Sequence, residues 1–192
     1  MNPLIKVILV LALIFASTFL IVRASGILTV DQVETWFETA QRLSPLTVGT
    51  LVVGLLIADL FIAVPTLTVT ILAGFFLGFG YGATFAIIGL LMAGCCGYGL
   101  SRLFGNRILR TIVRDDAKRQ EMVGLFNRHG IAMVLLSRAA PILPEVSACL
   151  AGMTRMPFPK FFAAWSISAG PYAFIAAYAG SVRTLEDPNP AI

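Results

Sequence analysis

The chain has 192 residues, of which 58% are apolar and only 12% are charged, with a net charge of +4 and a mean hydropathy of +0.88. A typical soluble domain carries about 25% charged and about 45–50% apolar residues, so this composition excludes a disordered chain, a collagen and a disulfide-rich secreted domain. The composition predicts an integral membrane protein, built as one domain of several membrane segments.

The N-terminal apolar run, Leu4–Val22, is long enough to cross the hydrocarbon core of a bilayer, which is about 30 Å thick. Lys6 near its start is typical of a signal peptide or a signal anchor. Because the run is long for a signal peptide and no convincing small-x-small cleavage site follows it, we expect a retained helix. The apolar residues of 29–43 recur at helical spacing around Trp36 and predict an amphipathic interfacial helix, which completes an N-terminal region over 1–44.

Two later apolar stretches are interrupted by proline. Pro65 divides residues 45–80, and Pro141 and Pro144 divide residues 130–152. Proline removes a backbone donor and disfavours helical geometry in the residue before it, so we predict a broken helical hairpin in each stretch. The spanning helices that follow the two hairpins are expected over 81–104 and 158–182.

Glycines accompany both hairpins. Gly74 and Gly78 form a GxxxG pattern in the first hairpin, Gly152 lies in the second, and Gly170 lies in the last predicted span. Small residues let helix backbones approach closely in membranes, so we assign these four glycines to helix packing.

The basic residues give the predicted segments an orientation. Residues 106–128 form a long polar stretch with six basic and three acidic side chains, a net charge of +3. By the positive-inside rule we place 105–128 in the cytoplasm, so the hairpin at 45–80 enters and leaves the membrane from outside, and the one at 129–154 from inside. A solvated helix near anionic lipid explains this charge better than nucleic-acid recognition, and no nucleic-acid partner is expected.

The two proline-interrupted stretches also form a weak internal repeat. Pro65 precedes Gly74 by nine residues, and Pro144 precedes Gly152 by eight. Inverted repeats with discontinuous helices are a recurrent plan of secondary transporters. The predicted fold is an all-α polytopic membrane protein with two oppositely oriented re-entrant hairpins, additional spanning helices and an inverted repeat.

Three charged side chains fall within the two proline-interrupted stretches, 45–80 and 130–152: Asp59, Arg138 and Glu145. A charge at the bilayer centre costs about 2.5–3.5 kcal/mol on insertion scales, so a partner, a hydrated cavity or protonation usually offsets it. If the hairpin tips meet at the midplane, the three side chains are neighbours in a polar cavity where Arg138 attracts a phosphate. The alternative is structural: Arg138 and Glu145 pair or cap carbonyls freed by the prolines, and Asp59 hydrogen-bonds to the backbone.

The sequence offers no recognisable catalytic or metal-binding motif. Its single histidine, His129, has no second ligand nearby in sequence, and there is no HExxH, no P-loop and no Ser, His and Asp set that we can place. The adjacent Cys95 and Cys96 form no CxxC motif. We therefore expect no enzymatic activity, no metal and no cofactor.

Several short motifs share their order and spacing with a known family. They are Phe126–Gly130, Arg138–Glu145 and Ala151–Met153, with Gly97-Tyr98 upstream and Phe161-Phe162 downstream. Over residues 45–182 this pattern resembles the DedA superfamily, and most of all its SNARE-associated Golgi protein branch, the VTT-domain proteins. Residues 183–192 form a tail beyond this domain.

The resemblance implies two re-entrant hairpins and transport of membrane lipids: flipping or scrambling of phospholipids or of a polyprenyl phosphate, coupled to protons or sodium, in the plasma (inner) membrane. Arg138 matches the family pattern best. Many members have a second arginine where this chain has Glu145, and an acidic residue after the first hairpin's proline, where this chain has Thr66. The competing function is that of a structural or assembly protein whose hairpins pack against partners.

Overall fold

A computed structural model describes residues 3–25, 35, 39, 44–61, 64–139 and 142–186. These residues contain helices and no strand, which confirms the all-α prediction. The helices are α1 Pro3–Ser25, α2 Pro45–Ala58, α3 Thr66–Ile112, α4 Asp116–Leu136, α5 Leu143–Met153 and α6 Phe158–Glu186, with a 3₁₀ turn, Ser137–Ala139, after α4. The amphipathic helix expected over 29–43 lies almost entirely outside the described residues, as do Pro141 and most of the tail.

Among the described residues, one helical segment is long and apolar enough to cross a membrane: Thr66–Gly105, within α3, which a turn at Gly78 divides into two arms. Only 28% of its most apolar window is buried inside the protein, so most of that surface faces outward, as expected of a helix in contact with lipid. The span predicted over 81–104 lies within it. Spanning helices were also expected over 4–22 and 158–182, in α1 and α6. The described parts of these two helices are not both long enough and apolar enough to cross a membrane.

The chain divides into two compact units. Residues 18–93 and 169–192 form one, which we call the Pro65 unit. Residues 1–17 and 94–168 form the other, which we call the Pro144 unit.

In the Pro65 unit, α2 begins at a serine cap and ends before the proline. Ser44 Oγ accepts a hydrogen bond from the Thr47 N–H at 3.2 Å, and Pro45 occupies the first turn, where its missing donor costs nothing. The helix ends at Ala58, and α3 begins directly after Pro65. The proline therefore lies at the boundary between two helices.

Gly78 reverses the chain within α3. Its φ of 75° and ψ of 166° are not helical. A Cβ built on Gly82 would lie 2.5 Å from the carbonyl oxygen of Ala73, although the two residues would be about 13 Å apart along a continuous helix. Helix α3 therefore consists of a short arm, 66–77, and a long arm, 79–112, which run in opposite directions.

Alanine at Gly78 is expected to lower the free energy of unfolding by about 1–3 kcal/mol, because this combination of φ and ψ is nearly restricted to glycine. Gly80 is the matched control, since a Cβ at either position meets no heavy atom within 4 Å and Gly80 is helical. Thermal unfolding in detergent should show a lower Tm for Gly78→Ala and an equal or higher Tm for Gly80→Ala. Equal effects of the two substitutions would contradict the assigned turn.

Helix α2 and the short arm form an antiparallel hairpin. Gly49 of α2 approaches Phe85 of the long arm, and Leu56 approaches Gly89, so α2 runs parallel to the long arm and opposite to the short arm. The 14 residues of α2 are about 21 Å long and the short arm is about 18 Å long. Neither reaches the thickness of about 30 Å that a bilayer core requires.

In the Pro144 unit, α4 and α5 form the corresponding hairpin. The Asp115 carboxylate caps α4 by accepting hydrogen bonds from the N–H groups of Ala117 and Lys118, at 2.9 and 3.4 Å. The first turns of α4 and the end of α5 line one cavity, so the two helices run antiparallel. Helix α5 has only 11 residues, about 17 Å, and Pro144 lies in its first turn.

A residue with positive φ also follows α5. Arg155 has a φ of 56°, and its N–H donates to the Gly152 carbonyl at 3.1 Å. The next N–H, of Met156, donates to the Ala151 carbonyl at 3.0 Å, which completes a Schellman motif. The same succession thus follows both breaks: a short helix, a turn at a positive-φ residue and a longer helix.

Each short helix packs against a long helix at a glycine. In the Pro65 unit, a Cβ on Gly74 would overlap the backbone of Ala177 in α6. In the Pro144 unit, a Cβ on Gly152 would overlap the carbonyl oxygen of Tyr98 in the long arm. Glycine at these two positions lets the helix backbones touch, which is the role that we assigned to them.

The other two glycines assigned to packing, Gly78 and Gly170, have no such contact. A Cβ at either position would meet no heavy atom within 4 Å. Gly78 provides the backbone conformation of a turn instead, and Gly170 lies in α6 beside open space.

Candidate functional site

Asp59 lies at the end of α2, and its half-buried carboxylate bridges the break in the Pro65 unit. Oδ1 accepts a hydrogen bond from the Val64 N–H at 2.9 Å, and Oδ2 accepts one from the Thr66 hydroxyl at 2.9 Å. Both carboxylate oxygens therefore stabilise the start of the short arm, as a capping side chain does.

Asp59→Ala is expected to lower the free energy of unfolding by about 1–2 kcal/mol, because the Val64 N–H loses its acceptor and the Thr66 hydroxyl keeps only the longer contact to the Val64 carbonyl, at 3.4 Å. Asp59→Asn keeps an acceptor oxygen for Val64 and should fall between the native protein and the alanine variant. Thermal unfolding of the three proteins in detergent measures this order. An alanine variant as stable as the native protein would show that the cap contributes nothing.

Arg138 lies in the 3₁₀ turn at the break of the Pro144 unit. Its guanidinium carbon is 5.1 Å from the centroid of the Trp165 ring, a cation–π distance. The indole is only 4% exposed, so a well-packed ring supports the charge. Trp165 was not among the residues that we predicted from the sequence. Its position inside an apolar span could have indicated a role, because tryptophans of membrane helices are usually found at the interfacial ends.

Two features of the surrounding helices position Trp165. A Cβ on Gly94 in the long arm would overlap the indole, so glycine at this position makes room for the ring. One turn along α6, the Ser168 hydroxyl donates to the Leu135 carbonyl at 3.1 Å, near the end of α4, where helix carbonyls lack helical partners. Helix α6 thus fixes the indole beneath Arg138.

The backbone at the same break is strained. Ile142, which precedes α5, has a φ of 72°, a left-handed conformation that β-branched residues rarely adopt, and its side chain cannot cap the helix. Glu145 follows in the first turn of α5, half-buried, where the helix dipole favours a carboxylate. This break therefore combines backbone strain, a charged guanidinium and a carboxylate, a combination found at functional sites.

Arg138 and Glu145 flank one break, whereas Asp59 belongs to the break of the other unit. That the three side chains share one cavity stays a prediction. Within the described part of the chain, no three His, Cys, Asp or Glu side chains come close enough together to hold a metal ion.

Tyr98 and Arg102 connect the long arm to the turn after α5. The Tyr98 hydroxyl donates to the Met156 carbonyl at 2.6 Å, and the Arg102 guanidinium donates to the Tyr98 hydroxyl. The Tyr98 ring stacks on Phe161 of α6, with centroids 4.8 Å apart. These contacts fix the turn that carries Arg155.

The structure combines apolar helices with proline-containing helix breaks that carry charged side chains. These features define a helical membrane protein. The family model of the VTT domain matches residues 64–182, well over half of the chain. The protein belongs to the VTT-domain family, which confirms the resemblance to the DedA superfamily. It is also 29% identical over 163 residues to a Synechocystis sp. protein named an uncharacterized membrane protein, covering 78% of this chain and 75% of that one. No solved structure matches the chain.

Proposed function

We propose that the protein moves lipids or lipid phosphates between the leaflets of a membrane, as a flippase or scramblase. The observation that carries this proposal is Arg138, a permanently charged side chain held over a buried indole at a helix break inside an apolar segment. A charge at this depth is costly unless it serves a pathway or has a partner, and broken helices form the substrate sites of many transporters.

In this proposal the two hairpins are re-entrant and enter from opposite faces. Their short helices, the short arm of α3 and α5, are too short to cross a bilayer core of about 30 Å. The basic residues of 105–128 lie in the cytoplasm and set the orientation of a multi-pass protein in the plasma (inner) membrane. The matching succession of short helix, positive-φ turn and long helix after the two breaks supports an inverted repeat.

The side chains at the break of the Pro144 unit suggest the class of substrate. A guanidinium donates two parallel hydrogen bonds to a phosphate, which phospholipids and polyprenyl phosphates share. Glu145 beside Arg138, or Asp59 at the other break, offers a carboxylate that could exchange a proton or bind sodium during transport. Coupling would then depend on the protonation of one of these two groups.

Reconstitution into sealed liposomes with fluorescent phospholipid in both leaflets tests the proposal. Dithionite added outside bleaches only the outer leaflet of protein-free vesicles. The transporter should expose the inner leaflet as well, so that the signal falls beyond the outer-leaflet fraction. If the signal stops at that fraction for labelled zwitterionic and anionic phospholipids and for a labelled polyprenyl phosphate, the protein is the structural or assembly factor that we considered instead.

A further inference from the structure

A cavity of about 400 Å³ lies in the Pro144 unit at the opposite end of α5 from Arg138. It is widely open to the surface and lies between the end of α3, the first turns of α4 and the turn after α5. Its lining residues are Leu109, Arg119, Gln120, Val123, Met153, Thr154 and Arg155. Since α5 is about 17 Å long, this cavity is separate from the break that carries Arg138.

Arg119 faces this cavity from α4. Its side chain is only 14% exposed, whereas that of its ion-pair partner Asp116, one turn earlier, is 85% exposed. A guanidinium has five N–H donors in a planar fork, so the ion pair with the exposed Asp116 leaves donors of Arg119 available to a ligand in the cavity. The neighbouring Gln120 adds an amide donor.

Arg155 reaches the same cavity from the turn after α5. Its side chain makes no hydrogen bond or ion pair within the described part of the chain. Its positive φ of 56° is a conformation that glycine adopts without strain and other residues adopt reluctantly. The corresponding turn of the Pro65 unit has Gly78. A strained arginine where glycine suffices indicates that the side chain itself has a role.

We propose that this cavity binds a phosphate group, held between the guanidinium groups of Arg119 and Arg155, with the Gln120 amide as a further donor. Arginine recognises phosphate through paired charge-assisted hydrogen bonds. Leu109, Val123 and Met153 give the cavity an apolar wall, which suits a phosphate carried on an apolar body. The ligand is therefore a phosphate-bearing molecule, supplied either by a lipid headgroup or by free phosphate.

Calorimetric titration of the full chain in neutral detergent, at fixed ionic strength, tests this site. The ligands are inorganic phosphate, a soluble short-chain phosphatidic acid and the matching diacylglycerol, which lacks the phosphate. Phosphatidic acid should bind and diacylglycerol should not. Tighter binding of phosphatidic acid than of inorganic phosphate identifies a lipid headgroup site, and equal binding identifies a free-phosphate site. The absence of binding by both phosphate-bearing ligands would overturn the proposal.

Arg155→Gly is the decisive variant, because glycine removes the guanidinium and suits the left-handed turn. Affinity for the phosphate-bearing ligands should fall by about tenfold or more, while Tm should not fall. Arg114→Gly is the control: it removes the same charge from an exposed residue outside the cavity and should leave the affinity within about twofold at fixed salt. Equal losses in the two variants, or none in Arg155→Gly, would overturn the assignment. Because binding is the readout, the result does not depend on transport.

Discussion

Arg138→Lys is expected to be expressed and folded like the native protein but to lose most lipid transport. Lysine keeps the positive charge, yet it lacks the planar fork that pairs with a phosphate and the flat face that stacks on Trp165. A charge-assisted hydrogen bond contributes about 1.5–3 kcal/mol, so the rate of leaflet exchange should fall by about tenfold or more. The dithionite assay in liposomes with equal amounts of protein measures that rate.

Arg128→Lys is the matched control, because Arg128 is an exposed arginine of the preceding helix α4 and should tolerate the same change. Arg138→Ala combined with Glu145→Ala separates a headgroup site from a structural ion pair. If the two side chains serve only each other, removing both should restore expression and transport. We expect the double variant to be expressed and inactive.

Gly152→Ala is expected to destabilise the protein by about 3 kcal/mol, the upper range of overpacking, since the added methyl group meets the backbone of the long arm rather than a movable side chain. Gly74→Ala should have a similar effect in the Pro65 unit, where the methyl group meets the backbone of Ala177. A loss of this size lowers Tm by about 6–12 °C in a protein of this length. Thermal unfolding and size-exclusion chromatography in detergent measure the loss.

Each unit offers a control for this prediction. Gly124 in α4 and Gly54 in α2 are helical glycines beside open space, where an added Cβ meets no heavy atom within 4 Å. Alanine at these positions should stabilise the helix by about 1 kcal/mol or less. A Gly152→Ala variant as stable as Gly124→Ala would mean that α5 does not pack closely against the long arm.

The sequence predicted those features that depend on neighbouring residues. Proline restricts its own backbone and that of the residue before it, so Pro65 and Pro144 indicated where helices begin without any knowledge of tertiary contacts. Apolar length likewise identified the span at 81–104, which lies in α3. Asp59 was recognised as an unusual charge, and one of the roles considered for it, hydrogen bonding to the local backbone, needs only a partner five residues away.

The remaining features depend on residues far apart in the chain. Gly78 belongs to a GxxxG pattern, and the pattern alone does not distinguish a packing glycine from one that turns the backbone. Arg138 and Trp165 are 27 positions apart, and their contact requires the hairpin and α6 to be in place. The basic cavity joins Arg119 to Arg155, two arginines that the sequence shows only as members of a general excess of positive charge.

We propose that the two helix breaks open to opposite sides of the membrane. Labelling of single cysteines with a membrane-impermeant maleimide tests this directly, after the three native cysteines are replaced. Phe61→Cys at the first break, where the native side chain is 60% exposed, should react only from outside. Ala139→Cys at the second break should react only from the cytoplasmic side, as should Arg114→Cys in the polar segment. Labelling of both breaks from the same side, or of neither from any side, would contradict the account.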